Sequence, residues 1–210
     1  MFSKNIAQGR QPLEKQEKLN ALYESTKRAK GSLVVYEQSN SIIFGEGSAN
    51  ATLMIIGEAP GKQEDLASRP FVGRSGKLLR EILLENTASL KKIFITNILK
   101  TRPPNNRTPT KKEINQSHPL LKAQIEIIHP KVICTLGSCA FEGVSKRKIK
   151  ITREHGKPTY FHNKIILIPA FHPAYILRNP KQRDALSRDL QTALQMANIQ
   201  TVTTKILPGG

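Results

Sequence analysis

Tryptophan is absent from this 210-residue chain, cysteine occurs twice, and acidic residues are scarce. The two cysteines, Cys134 and Cys139, can build neither a disulfide framework nor a four-thiolate metal site, and Cys134 sits in an apolar run that suits a buried thiol. No stretch reaches the roughly 18 apolar residues of a membrane-spanning helix. The amino-terminal MFSKNIAQGRQPLEKQEKL lacks the apolar core of a secretory signal. These absences predict a soluble, cytoplasmic protein with no membrane partner.

The shortage of acids is the more telling deficit. With 33 Lys and Arg against 16 Asp and Glu, the net charge is +17 and the pI about 10.1, well beyond what solubility requires. A polyanionic partner accounts for this balance. A solvated basic surface or a ribosome-associated protein is the competing reading, and both still place the chain near nucleic acid.

The length suits one α/β domain, expected over residues 13–205 after a flexible basic arm at 1–12. An amphipathic helix is expected over 13–30, with Leu19, Leu22 and Tyr23 facing inward. Short apolar runs at 53–56, 93–96, 132–136 and 165–168, separated by helical or loop patterns, predict a central, mainly parallel four-stranded sheet in a three-layer α/β/α fold. Helices are expected at 76–85, 111–128 and 183–197; the second opens with a capping box, Thr110 to Glu113. After the first strand, Gly57, Pro60 and Gly61 break the chain, and the next regular element is expected only near Ser75. Residues 145–155 read as an exposed basic loop, either a phosphate contact or a solvated connector.

Four clusters follow the strands, where open α/β sheets bind ligands. The first is Gly57-Glu58-Ala59-Pro60-Gly61 with Glu64 and Asp65: glycines let backbone amides approach a ligand oxygen, and carboxylates can orient water or favour a developing cation. A turn with acids opening a helix would look the same. Phe71 either stacks on a base or closes over the core. Asn97 offers one acceptor and two donors, a match for a pyrimidine edge, although a turn asparagine is as common. The loop Lys100-Thr101-Arg102-Pro103-Pro104-Asn105-Asn106-Arg107 combines stiffening prolines with cations and amides, which suits a phosphate backbone. In the last cluster, Phe171-His172-Pro173-Ala174-Tyr175-Ile176-Leu177-Arg178, the histidine can donate to an oxygen gaining negative charge. Ile176 and Leu177 beside Arg178 either wedge into a base stack or pack an ordinary helix inward.

In this order and at these separations the blocks GEAPG with ED, RPFVG, ITN, RPPNNR and FHPAYILR resemble the uracil-DNA glycosylase superfamily, specifically the class usually called family 4. The resemblance spans residue 43 to Leu190. It implies an enzyme of base-excision repair that extrudes a uracil nucleotide from single- or double-stranded DNA and hydrolyses its N-glycosidic bond, acting as a monomer. It implies that Phe71 stacks on uracil, Asn97 reads N3 and O4, and His172 hydrogen-bonds O2, with Glu58, Ala59 and Pro60 lining the pocket. Arg102, Asn106, Arg107, Tyr175, Ile176 and Arg178 are the expected DNA contacts. Ala59 stands where the best-known branch of the superfamily has its water-orienting aspartate. That role is expected of Glu64, then Asp65 and Asn106, with Glu58 also facing the sugar cation.

Most family-4 members carry an iron–sulfur cluster on four cysteines, whose register here holds Arg28, Gly31, Thr101 and Ser117. None is a thiolate, so no cofactor or metal is expected. Two other readings compete with the glycosylase. One is a DNA-binding module that keeps the pocket without turnover. The other, a nucleotide-binding enzyme with a phosphate-cradling GEAPG turn, lacks both the P-loop ending and the three-glycine dinucleotide pattern. Covalent capture of uracil DNA by a loop histidine is disfavoured, because residues 102–112 contain none.

Overall fold

The computed structural model describes residues 3–28, 39–87, 89–161 and 164–202, the side chains of 3–12 excepted. In chain order its elements are α1 (Ser3–Arg28), β1 (Glu46–Gly47), β2 (Leu53–Gly57), α2 (Lys62–Ala67), α3 (Arg74–Asn86), β3 (Ile93–Asn97), α4 (Lys111–Ile128), β4 (Val132–Leu136), α5 (Gly137–Ser145), α6 (Ile151–Glu154), β5 (Thr159–Phe161), β6 (Ile165–Ala170), α7 (Pro173–Arg178) and α8 (Arg183–Met196).

The sheet has six strands in the order β1-β3-β2-β4-β6-β5, not the four expected. The expected four form its parallel centre, and β1 and β5 add antiparallel edges. The edges escape a pattern search because β1 is two residues long and β5 three, too short for any alternation to register. The chain leaves β2 for β3 on one side and reaches β4 on the other, so the topological switch point lies at the carboxyl end of β2.

The central strands are buried on both faces, and alternate residues feed two cores. Leu53, Ile55, Ile93, Ile95, Val132, Cys134 and Leu136 join residues of α3, α7 and α8 on one face. Met54, Ile56, Phe94, Ile133 and Leu167 join residues of α1, α4 and α5 on the other. This is the three-layer arrangement expected. At about 25 cal/mol for each Å² of apolar surface removed from water, these two faces hold the layers together.

Several boundaries move. The first helix starts at Ser3 and takes in the stretch expected to be an arm, with Leu19 buried and Leu22 and Tyr23 partly buried against the second core as expected. Residues 29–30 of that expected helix lie outside the described residues. A short helix, α2, occupies the span expected to be irregular up to Ser75; its sequence, KQEDLA, has no apolar period to betray it. The basic stretch 145–155 exposes Lys146, Arg147, Lys148, Lys150 and Arg153 as expected, but folds one turn, α6, within it. The capping box of α4 forms as read: Thr110 Oγ1 accepts from the Glu113 amide and Glu113 accepts from the Thr110 amide at 2.7 Å. No described helix is long and apolar enough to cross a membrane.

Candidate active site

All four parallel strands deliver their carboxyl ends to one cleft of about 690 Å³. Glu58 to Gly61 enter it from β2, Asn97 ends β3, Gly137 to Cys139 follow β4, and Phe171 and His172 follow β6. Two backbone hydrogen bonds lock the first pair of loops together: the Ile98 amide to the Gly57 carbonyl at 2.9 Å, and the Leu99 amide to the Glu58 carbonyl at 3.1 Å.

Phe71 is buried and takes a left-handed backbone conformation, φ 54°, which a bulky residue adopts only when its surroundings dictate it. Three contacts dictate it here. Glu64 Oε1 accepts from the Val72 and Gly73 amides at 3.0 and 2.8 Å, and Oε2 accepts from the Gly61 amide at 3.2 Å. Arg80 donates to the Phe71 and Pro70 carbonyls, both at 3.2 Å. Gly76 of α3 lies so close to the Phe71 backbone that a Cβ there would collide with it. Gly57 is constrained in the same manner from the other side, since a Cβ on it would strike both Asn97 Oδ1 and the Phe71 ring. The spacing of this strand-end glycine therefore sets how closely the ring and the amide approach.

Asn97 is 2 % exposed, and its Oδ1 is a buried acceptor with no hydrogen-bond partner among the described residues. Buried polar atoms are normally satisfied, so this orphan, on a residue that lines the cleft, is an acceptor left open to a donor. Across the cleft, His172 caps α7, its Nδ1 accepting from the Ala174 amide at 3.1 Å. That bond leaves the proton of a neutral ring on Nε2. Burial, seconded by Arg178, lowers the imidazole pKa to about 4, against a smaller opposite pull from Glu64, so the ring is neutral near pH 7. The Phe71 and His172 rings lie 6.4 Å apart.

The carboxylates divide by role. Glu64 has both oxygens committed to backbone amides. Asp65 is likewise committed, accepting from the Ser39 hydroxyl, the backbone and side-chain amides of Asn40 and the Ser41 backbone amide. Glu58 instead lines the cleft with Cys139; burial pushes its carboxyl up, and burial and Glu58 raise the Cys139 thiol to about 12. Cys139 was not among the sequence candidates, and only the shared position at two strand ends connects it to Glu58.

The expected DNA contacts cluster at the rim, with one exception. Asn106 and Arg107 line the cleft mouth; Arg102 Nε donates to Asn106 Oδ1 at 2.7 Å, and Arg107 pairs with Glu113 at 2.6 Å. Tyr175 stacks on Phe171 with ring centroids 5.1 Å apart, and Arg178 is exposed. Ile176, however, is 2 % exposed within the core, and the apolar side chain this helix offers to solvent is Leu177.

The donor set does not fit an iron–sulfur cluster. Thr101 and Ser117 are buried hydroxyl residues, Arg28 is exposed, and Gly31 lies outside the described residues. Among the described residues no group of three or more His, Cys, Asp or Glu could hold a metal ion.

Comparison with known proteins agrees with this architecture. Residues 44–195 match the model of the uracil DNA glycosylase superfamily. The chain is 44 % identical over 140 residues to a type-4 uracil-DNA glycosylase of Thermotoga maritima, covering 66 % of this chain and 73 % of that one. It is 39 % identical over 171 residues to a type-4 uracil-DNA glycosylase of Sulfurisphaera tokodaii, covering 78 % of each. A third, from Archaeoglobus fulgidus, is 36 % identical over 75 % of this chain and 82 % of its own.

Proposed function

The chain belongs to the uracil-DNA glycosylase superfamily, and on that premise we propose that it is a uracil-DNA glycosylase, hydrolysing the N-glycosidic bond of uracil in DNA to leave an abasic site for base-excision repair. The observation that carries this reading is the partnerless Oδ1 of Asn97. Uracil presents a donor at N3 beside an acceptor at O4, which an asparagine amide matches with Oδ1 and Nδ2. Extruding the nucleotide from the duplex costs a few kcal/mol, less for a mispaired base and least for single-stranded DNA.

The cleft supplies a partner for each charge that bond cleavage creates. The departing base gains negative charge on its oxygens. A neutral His172 donates from Nε2 to O2 without losing a charge of its own, and the amino-terminal end of α5, whose first three residues line the cleft, points its positive dipole end at the anion. Phe71 stacks on the base. The electron-poor sugar and the attacking water face Glu58, the cleft carboxylate not tied down by backbone amides; Glu64 instead fixes the turn that carries Phe71. Asn106, Arg107, Arg178 and Leu177 at the rim hold the strand, and the exposed basic stretch after α5 suits its phosphates. The same proposal takes residues 13–205 as a single domain acting as a monomer inside the cell; the one sheet that carries the whole cleft supports the single domain.

Ala59, standing where a water-orienting aspartate is found in the best-known branch of the superfamily, favours the second reading, a binding module without turnover. A single-turnover assay of metal-free protein on an oligonucleotide with one uracil, followed by alkali, separates the two. Strand scission at uracil and not at thymine supports the glycosylase; tight binding without scission supports the module.

A further inference from the structure

Behind Asn97 lies a lysine that the reading above does not use. Lys100 is 2 % exposed, one of the largest fully buried side chains of the protein. Its Nζ lies 2.6 Å from Thr96 Oγ1, 2.7 Å from the Asn97 carbonyl and 2.6 Å from Gln124 Oε1. The chemistry of those three atoms bears on the state of the amine. The Thr96 hydroxyl already donates to the Phe44 carbonyl at 2.8 Å. The Gln124 amide nitrogen donates to the same carbonyl at 2.8 Å, which turns Oε1 toward the lysine. The Asn97 carbonyl can only accept.

In this arrangement all three partners accept. An ammonium has three N–H donors and satisfies them all, whereas a neutral amine has two and fits only if the Thr96 hydroxyl turns from the Phe44 carbonyl to donate to it. Burial works against the charge and pulls the lysine well below its ordinary range; three short hydrogen bonds work for it. The groups facing Nζ from β3 and α4 are uncharged, and none of the described ion pairs includes Lys100. Its charge is not cancelled at its own site, so its field reaches the cleft through a water-poor interior.

We infer that Lys100 is a buried ammonium that holds the backbone of Asn97 in place and sets an uncompensated positive charge behind the cleft wall, where it favours a base departing as an anion. The inference rests on the proposed glycosylase reading for its second half only. Lys100 is a positioning residue, since it touches neither base nor sugar.

Two measurements test it. Lysine 15N NMR of the wild-type protein near pH 7 should show one slowly exchanging NH3+ resonance among the fast-exchanging surface lysines; its absence overturns the charged state, whatever the enzyme does. Single-turnover cleavage by Lys100→Met is then compared on uracil and on 5-fluorouracil, whose fluorine makes it a better leaving group. The loss should be about tenfold or more on uracil and at most about threefold on 5-fluorouracil, because the easier departure needs less help from the field. Equal losses on both substrates, in a variant whose circular dichroism matches the wild type, would reduce Lys100 to a structural brace and overturn the electrostatic role. Should the wild-type protein cleave neither substrate, the glycosylase reading fails while the NMR result still decides the charge.

Discussion

Acidification should weaken this protein through His172 in a defined window. The imidazole goes from an ordinary 6.5 in the unfolded chain to about 4 in the fold, because burial and Arg178 disfavour its charged form. Above 6.5 both states are neutral there and nothing is lost. As pH falls below 6.5 the unfolded chain takes a proton that the folded one refuses, so folding stability declines until the folded ring also titrates near 4. At about 1.4 kcal/mol for each tenfold change in proton affinity, the full loss is about 3.5 kcal/mol. His172→Asn removes the titration while keeping an oxygen that can accept from the Ala174 amide and so preserve the cap of α7. Urea denaturation followed by circular dichroism, at pH 7.5, 6 and 4.5, measures both proteins; the absence of tryptophan rules out the usual fluorescence probe. Wild-type stability should fall with acid more steeply than that of the variant, by up to about 3 kcal/mol. Parallel curves would refute the neutral, partly buried histidine. The same ring state predicts a cleavage rate with no loss to imidazole protonation between pH 8 and 6, and a drop of about 100-fold for the variant, with DNA binding little changed.

Gly57→Ala should push Asn97 Oδ1 and the Phe71 ring apart at once. A displacement near 1 Å lowers the single-turnover rate by about 100-fold, and the overpacking destabilises by about 1–3 kcal/mol; a wild-type rate in a folded variant would show that the two groups do not share a substrate. Glu64→Ala leaves the Gly61, Val72 and Gly73 amides without their acceptor, and should destabilise by about 3 kcal/mol in thermal unfolding. Glu64→Gln, which keeps one acceptor oxygen, should retain measurable cleavage. Loss of cleavage with unchanged thermal stability in Glu64→Gln would return Glu64 to the chemistry and remove Glu58 from it.

The sequence displays what has a local pattern and conceals what is assembled from a distance. The parallel strands were legible because burial on both faces makes each a continuous apolar run, and α4 because Thr110 and Glu113 are three residues apart. The edge strands, α2 and α6 are too short to carry a period. Within the site, strand-end position singled out Asn97 and His172, and an apolar side chain in a polar loop singled out Phe71; all three line the cleft. The contacts of Glu64 were not legible, because its partners are main-chain amides at Gly61, Val72 and Gly73, which leave no trace in residue type. Lys100 read as one more surface cation in a basic loop, since only the fold brings Gln124 and the Phe44 carbonyl to its neighbourhood. Ile176 and Leu177 are adjacent, and which of them faces solvent depends on how α7 lies against the core.

The central claim is that Asn97 reads the edge of a pyrimidine held in this cleft, and exchanging its donor for an acceptor tests it most directly. Single-turnover cleavage by the wild type and by Asn97→Asp should be measured on oligonucleotides that differ only in carrying uracil or cytosine. The account predicts that the wild type cleaves uracil alone, and that the variant loses uracil cleavage by about 100-fold or more, because an amide donor to O4 is replaced by an oxygen. It predicts that any residual preference of the variant moves toward cytosine, whose exocyclic amine can donate to the carboxylate. An unchanged preference for uracil at an unchanged rate in Asn97→Asp would contradict it.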